Sequence, residues 1–270
     1  MPDAASVTVA SDAPGRIVSL ATGVAESLVA LGLADRIVGR DETSTAPQLQ
    51  DVPVLTEAHS VSAERVLATQ PDIVLVDAAT SPPEALDQIR AAGVDVVEVP
   101  EAWSARDVLP RTRAIASAVG LDRAAAEASA TTWTASDGQR ATASSPRVAF
   151  LYLRGTSAIY LIGGKGSGAD ALIEAAGGID VGSAAGLPEF TPLTAEALAQ
   201  EDPDVLLVMT GGLESVGGIV GLTGLPGVAQ TRAGREGRVV AVEDTLLLSY
   251  GPRTGALTDA LGQAIARAAE

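Results

Sequence analysis

The chain has 270 residues, is 47% apolar and carries a formal net charge of −16. That length suits two modest α/β domains or one large one, and so acidic a surface excludes a nucleic-acid backbone as partner, which needs clustered Lys and Arg. The absence of cysteine excludes disulfides, thiolate metal sites and a thiol nucleophile.

Aromatic residues make up only 3%, so the cores must be aliphatic and Tyr152, Tyr160 and Tyr250 stand out individually. No apolar run reaches the ~18 residues needed to cross a bilayer. The opening MPDAASVTVASD lacks the basic and apolar regions of a signal peptide, so an exported protein is expected to be represented here by its mature part.

In chain order, RIVSL at 16–20 reads as a β-strand, residues 23–32 as a helix closed by Gly32, and a second strand begins near Ile37. A loop rich in Thr, Ser, Pro and Asp runs to about residue 61. SAERVLATQ then reads as a helix, PDIVLVD as a buried strand, SPPEALDQIRAAG as a helix and VDVVEVP as a strand. Strands alternating with helices at this spacing predict a parallel sheet covered on both faces.

From Ser104 to about Ala143 the pattern becomes Ala-rich helix without strand signal, broken near Gly120 and Asp122. Alternation resumes at VAFLYLRG. The expected organisation is therefore an α/β lobe over 1–103, a helical connection over 104–145 and a second α/β lobe over 146–270.

An internal repeat supports two similar lobes. SAERVLATQPDIVLV at 62–76 aligns without gaps on TAEALAQEDPDVLLV at 194–208, each a helix start, a Pro-Asp turn and a buried strand. GVDVVEVP and GRVVAVED correspond in type, as do GVAESLVALG and GADALIEAAG. A period of this length is too long for a solenoid. Paired lobes create a cleft, and in open parallel sheets the loops leaving the carboxyl ends of the strands face it. The loop 39–61 and the loops after strand 148–153 fall there.

His59, in AHSVSAE, is the chain's only histidine. It is either a loop-capping side chain or a ligand, imidazole being suited to iron or zinc near neutral pH. One His without Cys cannot close a tetrahedral zinc site, whereas a porphyrin brings four nitrogens and asks the protein for one or two axial groups. FLYLRG places Tyr152 and Arg154 on one face of a strand, an arrangement that fits a buried hydroxyl satisfied by Arg or a tyrosinate ligand stabilised by it.

GKGSGA at 164–169 formally fits a dinucleotide fingerprint, with Gly164 and Gly166 approaching a pyrophosphate, or else a Gly-rich turn shaping the cleft. Nucleophilic catalysis has little support: there is no G-x-S-x-G elbow, and one His would have to serve any triad. Glu64 and Glu196 are the repeat's matched acids. Each lies two residues after a candidate N-cap, Ser62 or Thr194, where a carboxylate favours the helix dipole.

Taken together, RIVSLATGVAESLVALGLADRIVGR, DETSTAP, VSAERVLATQPDIVLV, GKGSGADALIEAAGG and FTPLTAEALAQEDPDVLLV resemble the substrate-binding proteins of iron-complex, haem and cobalamin ABC importers. The resemblance covers nearly the whole chain and implies two Rossmann-like lobes with parallel sheets joined by a long interdomain helix, the class III periplasmic-binding-protein fold. GRDETSTAP, AHSVSAE, FLYLRG and GKGSGAD are most similar to the haem-binding lipoproteins of Gram-positive actinobacteria.

That likeness implies a non-enzymatic, extracytoplasmic carrier with haem between the lobes, His59 and Tyr152 as axial ligands and Arg154 bonded to the Tyr. It implies docking of an ABC permease dimer through Glu64 and Glu196, receipt of haem from upstream surface proteins, and membrane attachment only through a lipid on an amino-terminal Cys that this sequence lacks. Tyr160, and Tyr250 with Arg253, remain alternative haem contacts. Leu161, Ile162, Leu246 and Leu247 are expected to cover the porphyrin, with Arg154 or Arg253 near its propionates. A ferric-siderophore or cobalamin carrier is the alternative within the fold, and a nucleotide-dependent enzyme the alternative outside it.

Overall fold

A computed structural model describes residues 13–57, 60–122, 127, 142, 144–153 and 160–270. His59 and Arg154 lie outside the described residues, as does the side chain of Tyr160 and most of the stretch between Asp122 and Ser144. The described residues divide into two compact units, one within Met1–Ala102, Arg106–Thr134 and Ser249–Pro252, the other within Trp103–Ala105, Ala135–Leu248 and Arg253–Glu270. Residues 249–252, late in the chain, thus pack with the first unit. No described helix is long and apolar enough to cross a membrane.

In the first unit, β1 (Ile17–Ser19), β2 (Ile37–Arg40), β5 (Ile73–Val76) and β6 (Asp95–Glu98) form one parallel sheet in the order β2-β1-β5-β6. Between β2 and β5 a small antiparallel pair is made by β3 (Thr56–Glu57) and β4 (Ser60–Val61). Side chains alternate across a strand, so Ile17, Ile73 and Leu75 meet α1 (Val24–Ala30) and α4 (Val108–Ala118) on one face. Val18, Val74 and Val76 meet α2 (Ala63–Ala68) and α3 (Pro83–Ala91) on the other. Each fully buried aliphatic side chain contributes roughly 1.5–3 kcal/mol.

The second unit's sheet has a parallel centre and an antiparallel margin. β7 (Arg147–Leu153), β11 (Val205–Met209) and β12 (Val239–Val242) run parallel, and the short β9 (Ile179–Asp180) pairs parallel with β7. β8 (Tyr160–Gly163) and β10 (Phe190–Pro192) add antiparallel to give the order β10-β8-β7-β11-β12. Val148, Phe150, Val205 and Leu207 face α5 (Ala169–Ala175) and the final helix Thr254–Ala269. Ala149, Leu151, Leu153, Leu206 and Val208 face Leu198 of the helix Ala195–Glu201 and Leu222 of the helix Gly218–Thr223.

The sequence repeat is a repeated piece of chemistry. Asp72 Oδ2 accepts the amides of Gly15 and Arg16 at 2.8 and 2.9 Å, and Asp204 Oδ2 accepts the amide of Arg147 at 3.0 Å. The same aspartates' amides donate back to the carbonyls of Arg16 and Arg147. Each arginine side chain in turn reaches the carboxyl end of the preceding helix: Arg16 Nε donates to the Gln70 carbonyl at 2.8 Å, and Arg147 Nη2 to the Glu201 carbonyl at 3.0 Å. A cation there complements the helix dipole. The residues before the prolines, Gln70 and Asp202, adopt φ of 49° and 39° and turn the chain from helix to strand.

Asp180 lies at the amino end of β7, opposite Val148. It is 2% exposed, and its Oδ1 caps the helix Val181–Ala184 by accepting the Ser183 amide at 2.6 Å. Burial pushes its carboxyl up to about 6; the Ser183 bond opposes that rise, and neighbouring Asp170 and Glu174 reinforce it. A raised carboxyl pKa contributes stability that is fully present below the ordinary value of 3.8 and lost as pH rises through about 6.

Two outcomes are expected. Asp72→Ala and Asp204→Ala each lower the unfolding free energy by about 1–2 kcal/mol, and the two losses add in the double variant, as read by chemical denaturation. Asp180→Asn keeps the capping oxygen and removes the charge, so thermal unfolding as a function of pH will show it gaining on the wild type by on the order of 3 kcal/mol between acid and mildly alkaline pH.

Candidate functional site

The carboxyl ends of the parallel strands are where open α/β sheets place their ligands. In the second unit that edge carries Tyr152, the penultimate residue of β7, Met209, the last of β11, and the helix Asp244–Leu247 after β12. Tyr152 is half-buried. Its ring meets Phe190 edge-on, with centroids 5.8 Å apart and planes at 67°, and Phe190 meets Phe150 in the same way at 6.4 Å. The chain's two phenylalanines and Tyr152 thus form a row of edge contacts, Phe150 to Phe190 to Tyr152.

Register explains the cluster. Tyr152 pairs with Leu161 across β8, and Leu161 with Pro192 across β10, so these side chains share a face of the sheet. Phe190 pairs with Gly163, where a Cβ would come within 2.6 Å of the Phe150 ring. Only glycine lets the two rings meet there. Met209, Leu246 and Leu248 are partly buried around the same apolar cluster. The helix Thr210–Ser215, directly after β11, is tied to the Asp244–Leu247 helix by the Gly211 amide donating to Asp244 Oδ1 at 2.8 Å.

In the first unit the corresponding edge is a buried polar network. Asp41, directly after β2, is 4% exposed, Glu26 in the first turn of α1 is 8%, and Ser44 between them is fully buried. The Ser44 hydroxyl touches both acids, at 2.5 Å from Asp41 Oδ2 and 3.2 Å from Glu26 Oε2. Glu26 Oε1 also accepts the Thr45 amide at 3.0 Å, and Asp41 Oδ1 the Thr43 amide at 2.8 Å. Arg40 closes the loop by donating to the carbonyls of Ser44, Leu49 and Val52.

Arg111, 5% exposed on α4, donates to the carbonyls of Ser249 at 3.1 Å and Thr22 at 2.5 Å. Burial lowers its pKa, and the charges of Asp77, Glu101, Asp41 and Glu26 oppose that shift. The 249–252 segment approaches α1 so closely that a Cβ on Gly23, at φ 75°, would sit 2.6 Å from the Ser249 carbonyl oxygen.

The residues singled out from the sequence fall as follows. His59 falls in sequence between β3 and β4 and lies outside the described residues. Arg154 lies outside them too. Tyr160 pairs by its backbone with Leu153. Tyr250, at φ 41° and 3% exposed, packs against Ala102 and Val108 in the first unit. Arg253 is exposed at the start of the final helix of the second unit. Glu64 and Glu196 are both exposed, each in the first turn of a helix whose N-cap, Ser62 or Thr194, bonds the amide three residues on.

Two expectations require correction. Ile162 and Leu247 are 0% and 1% exposed and belong to core clusters, so neither is available to cover a ligand; Ile162 pairs with Leu151 and shares its core-facing side. Leu161 and Leu246 remain half-buried. The pyrophosphate reading of GKGSGA loses its donors, because the amides of Gly164, Lys165, Gly166 and Ser167 are bonded to Glu189, Leu187, Asp170 and Gly164. A Cβ at Gly164 would lie 2.4 Å from the Leu187 carbonyl oxygen, so this glycine serves chain packing.

A family model described as periplasmic binding protein matches residues 17–246. The chain belongs to the periplasmic binding protein family. Its fold is that of RhuT, a periplasmic haem-binding protein from Roseiflexus sp. RS-1 solved in apo form, with 40% identity, a TM-score of 0.88 and coverage of 94% of this chain and 99% of that one. The haem-binding protein HmuT, solved with one arginine replaced by alanine, gives 34% identity and a TM-score of 0.86 over 98% of this chain and 89% of its own.

HmuT has also been solved with a histidine and with a tyrosine replaced by alanine, and that tyrosine precedes the replaced arginine by two residues. Among curated relatives, the vitamin B12-binding protein of Vibrio parahaemolyticus is 29% identical over 92 residues, 34% of either chain. The chain therefore spans about a third of the length of that relative.

Proposed function

We propose that this protein is an extracytoplasmic carrier that captures haem by axial ligation from His59 and Tyr152 and delivers it to an ABC permease. The observation that carries the reading is Tyr152 itself: a half-buried phenol at the carboxyl end of a parallel strand, ring-braced by Phe190, two residues before Arg154. The same Tyr-x-Arg spacing separates the residues replaced in the solved variants of HmuT, to which this chain is similar over nearly its whole length.

The chemistry follows from the donors. Tyrosinate is a hard anionic ligand for ferric iron and neutral imidazole a good second one. Arg154, two residues on in the sequence, is the proposed hydrogen-bond donor to the Tyr152 oxygen. Leu161, Met209, Leu246 and Leu248 offer apolar surface beside Tyr152 for a porphyrin face. Tyr250, held in the first unit's apolar cluster, is the weaker candidate ligand.

Handover depends on a different surface. Glu64 and Glu196 are exposed acids at equivalent positions of the repeat, suited to basic side chains on the two halves of a permease dimer. A lipid anchor holding the carrier near that permease, and surface haem proteins upstream of it, complete the proposed route.

Ferric haem titrated into the apo protein is expected to saturate at one equivalent with a Soret band. Tyr152→Phe, which keeps the ring packing, His59→Ala and Arg154→Ala should each change the spectrum and weaken binding by about 10- to 100-fold. Absence of a haem spectrum together with stoichiometric uptake of cobalamin would replace this reading with the vitamin carrier. In a reconstituted importer, Glu64→Arg or Glu196→Arg should lower carrier-stimulated ATP hydrolysis severalfold and the pair abolish it, with haem binding unchanged; retained stimulation in the double variant removes the docking role.

A further inference from the structure

The chain has two methionines and no cysteine, and among the described residues Met209 carries the only sulfur. The β7–β11 ladder pairs Val208 with Leu151, which makes Met209 and Tyr152 the next residues on adjacent parallel strands. Such strands lie ~4.8 Å apart, and their side chains alternate between faces. Val205 and Leu207 of β11, with Val148 and Phe150 of β7, pack into one cluster, and Met209 and Tyr152 continue the two rows against it. The sulfur therefore adjoins the phenol that is proposed to hold iron.

The alternation holds to the last residue of β11. Met209 keeps an extended backbone, φ −84° and ψ 147°, and the helix Thr210–Ser215 begins only at the next residue. Val208 before it is 0% exposed, whereas Met209 is only partly buried. A small solute reaching the carboxyl edge of the sheet thus meets Met209 beside Tyr152.

We propose that Met209 is an oxidation site through which a peroxide weakens ligand capture at Tyr152; the capture half of this statement rests on the haem reading. The step is an oxygen transfer. The thioether sulfur gives an electron pair to one peroxide oxygen, the O–O bond breaks, an S–O bond forms, and the other oxygen leaves as water. Sulfur is oxidised by two electrons and the peroxide reduced by two.

The product changes the character of the surface. A thioether is apolar and packs well on aromatic rings, whereas a sulfoxide is polar and a strong acceptor. Burying that oxygen under a porphyrin face is costly unless a donor meets it. Leu161, Leu246 and Leu248, which share the surface, carry no side-chain donor. The Tyr152 hydroxyl is one, and engaging it would take it from the iron. Either way the oxidised site binds the ligand less tightly, and reduction of the sulfoxide restores it.

The test starts from ligand-free protein treated with hydrogen peroxide. Peptide mass mapping is expected to find one added oxygen at Met209 while the protein remains folded. Ferric haem should then bind about 10-fold more weakly than to untreated protein, and methionine sulfoxide reductase should return the affinity. Met209→Leu, whatever its own affinity, should bind identically before and after peroxide, and Met209→Gln should be weak without any treatment. The Tyr152 ring signals in NMR, assigned with Tyr152→Phe, should shift on oxidation in the ligand-free protein, a readout that needs no haem. Untreated protein without a haem spectrum would sink the haem reading and the capture half with it, and the Tyr152 signals would then decide for or against the site. A Met209 that stays reduced in the folded protein, Tyr152 signals that do not move, or equal haem affinity before and after oxidation would each overturn the proposal.

Discussion

The reciprocal clamp between a Pro-Asp aspartate and an arginine at or just before the start of the neighbouring strand orders the sheet of each unit. In each unit it joins the central strand to the strand on which the site depends, β5 to β1 through Asp72 and β11 to β7 through Asp204. A strand's side chains alternate, so a slip of one residue would exchange its two faces. The clamp at the amino end thereby decides which residues emerge at the carboxyl end. With Arg147 held, Val148, Phe150 and Tyr152 share the face of α5 and the final helix, and Tyr152 comes out at the rim.

The two ends of each sheet have different electrostatic burdens. At the amino edge, the clamping aspartates are open to solvent or half-buried and bond to amides, which suits an ionised carboxylate. At the carboxyl edge of the first unit, Glu26, Asp41 and Arg111 are all nearly inaccessible. Burying charge is tolerated only with a counter-charge or a proton, and here Arg111 acts on both acids. The network defines the conformation of residues 41–45 more tightly than apolar contacts could, because each of its bonds has a direction.

Much of this was legible in the sequence, and the reason is periodicity. Alternating apolar runs located β1, β5, β7 and β11, and the aligned Pro-Asp turns identified the two central strands before any contact was known. The roles of Arg16 and Arg147 were missed, although GRIVSL and PRVAFL carry the signal. The assignment of both Leu161 and Ile162 to one ligand-facing surface failed on the same rule that found the strands: adjacent residues in a strand point to opposite faces. Leu247 failed because one turn of helix buries one of two neighbouring leucines.

Other features could not be read from local pattern. A Gly-rich turn looks alike whether its amides await a phosphate or serve a neighbouring loop, and only Leu187 and Glu189, some twenty residues on, distinguish the cases. Glu26 resembles any acid in a first helical turn, and Asp41 any loop aspartate, until Ser44 is seen between them. Tyr152 gains its meaning from Phe190, which arrives from β10 by way of β8. In a chain so poor in aromatic residues, a row of edge contacts from Phe150 through Phe190 to Tyr152 restricts that ring. A ring held in this way takes its orientation from packing, and a ligand site needs a donor fixed in direction.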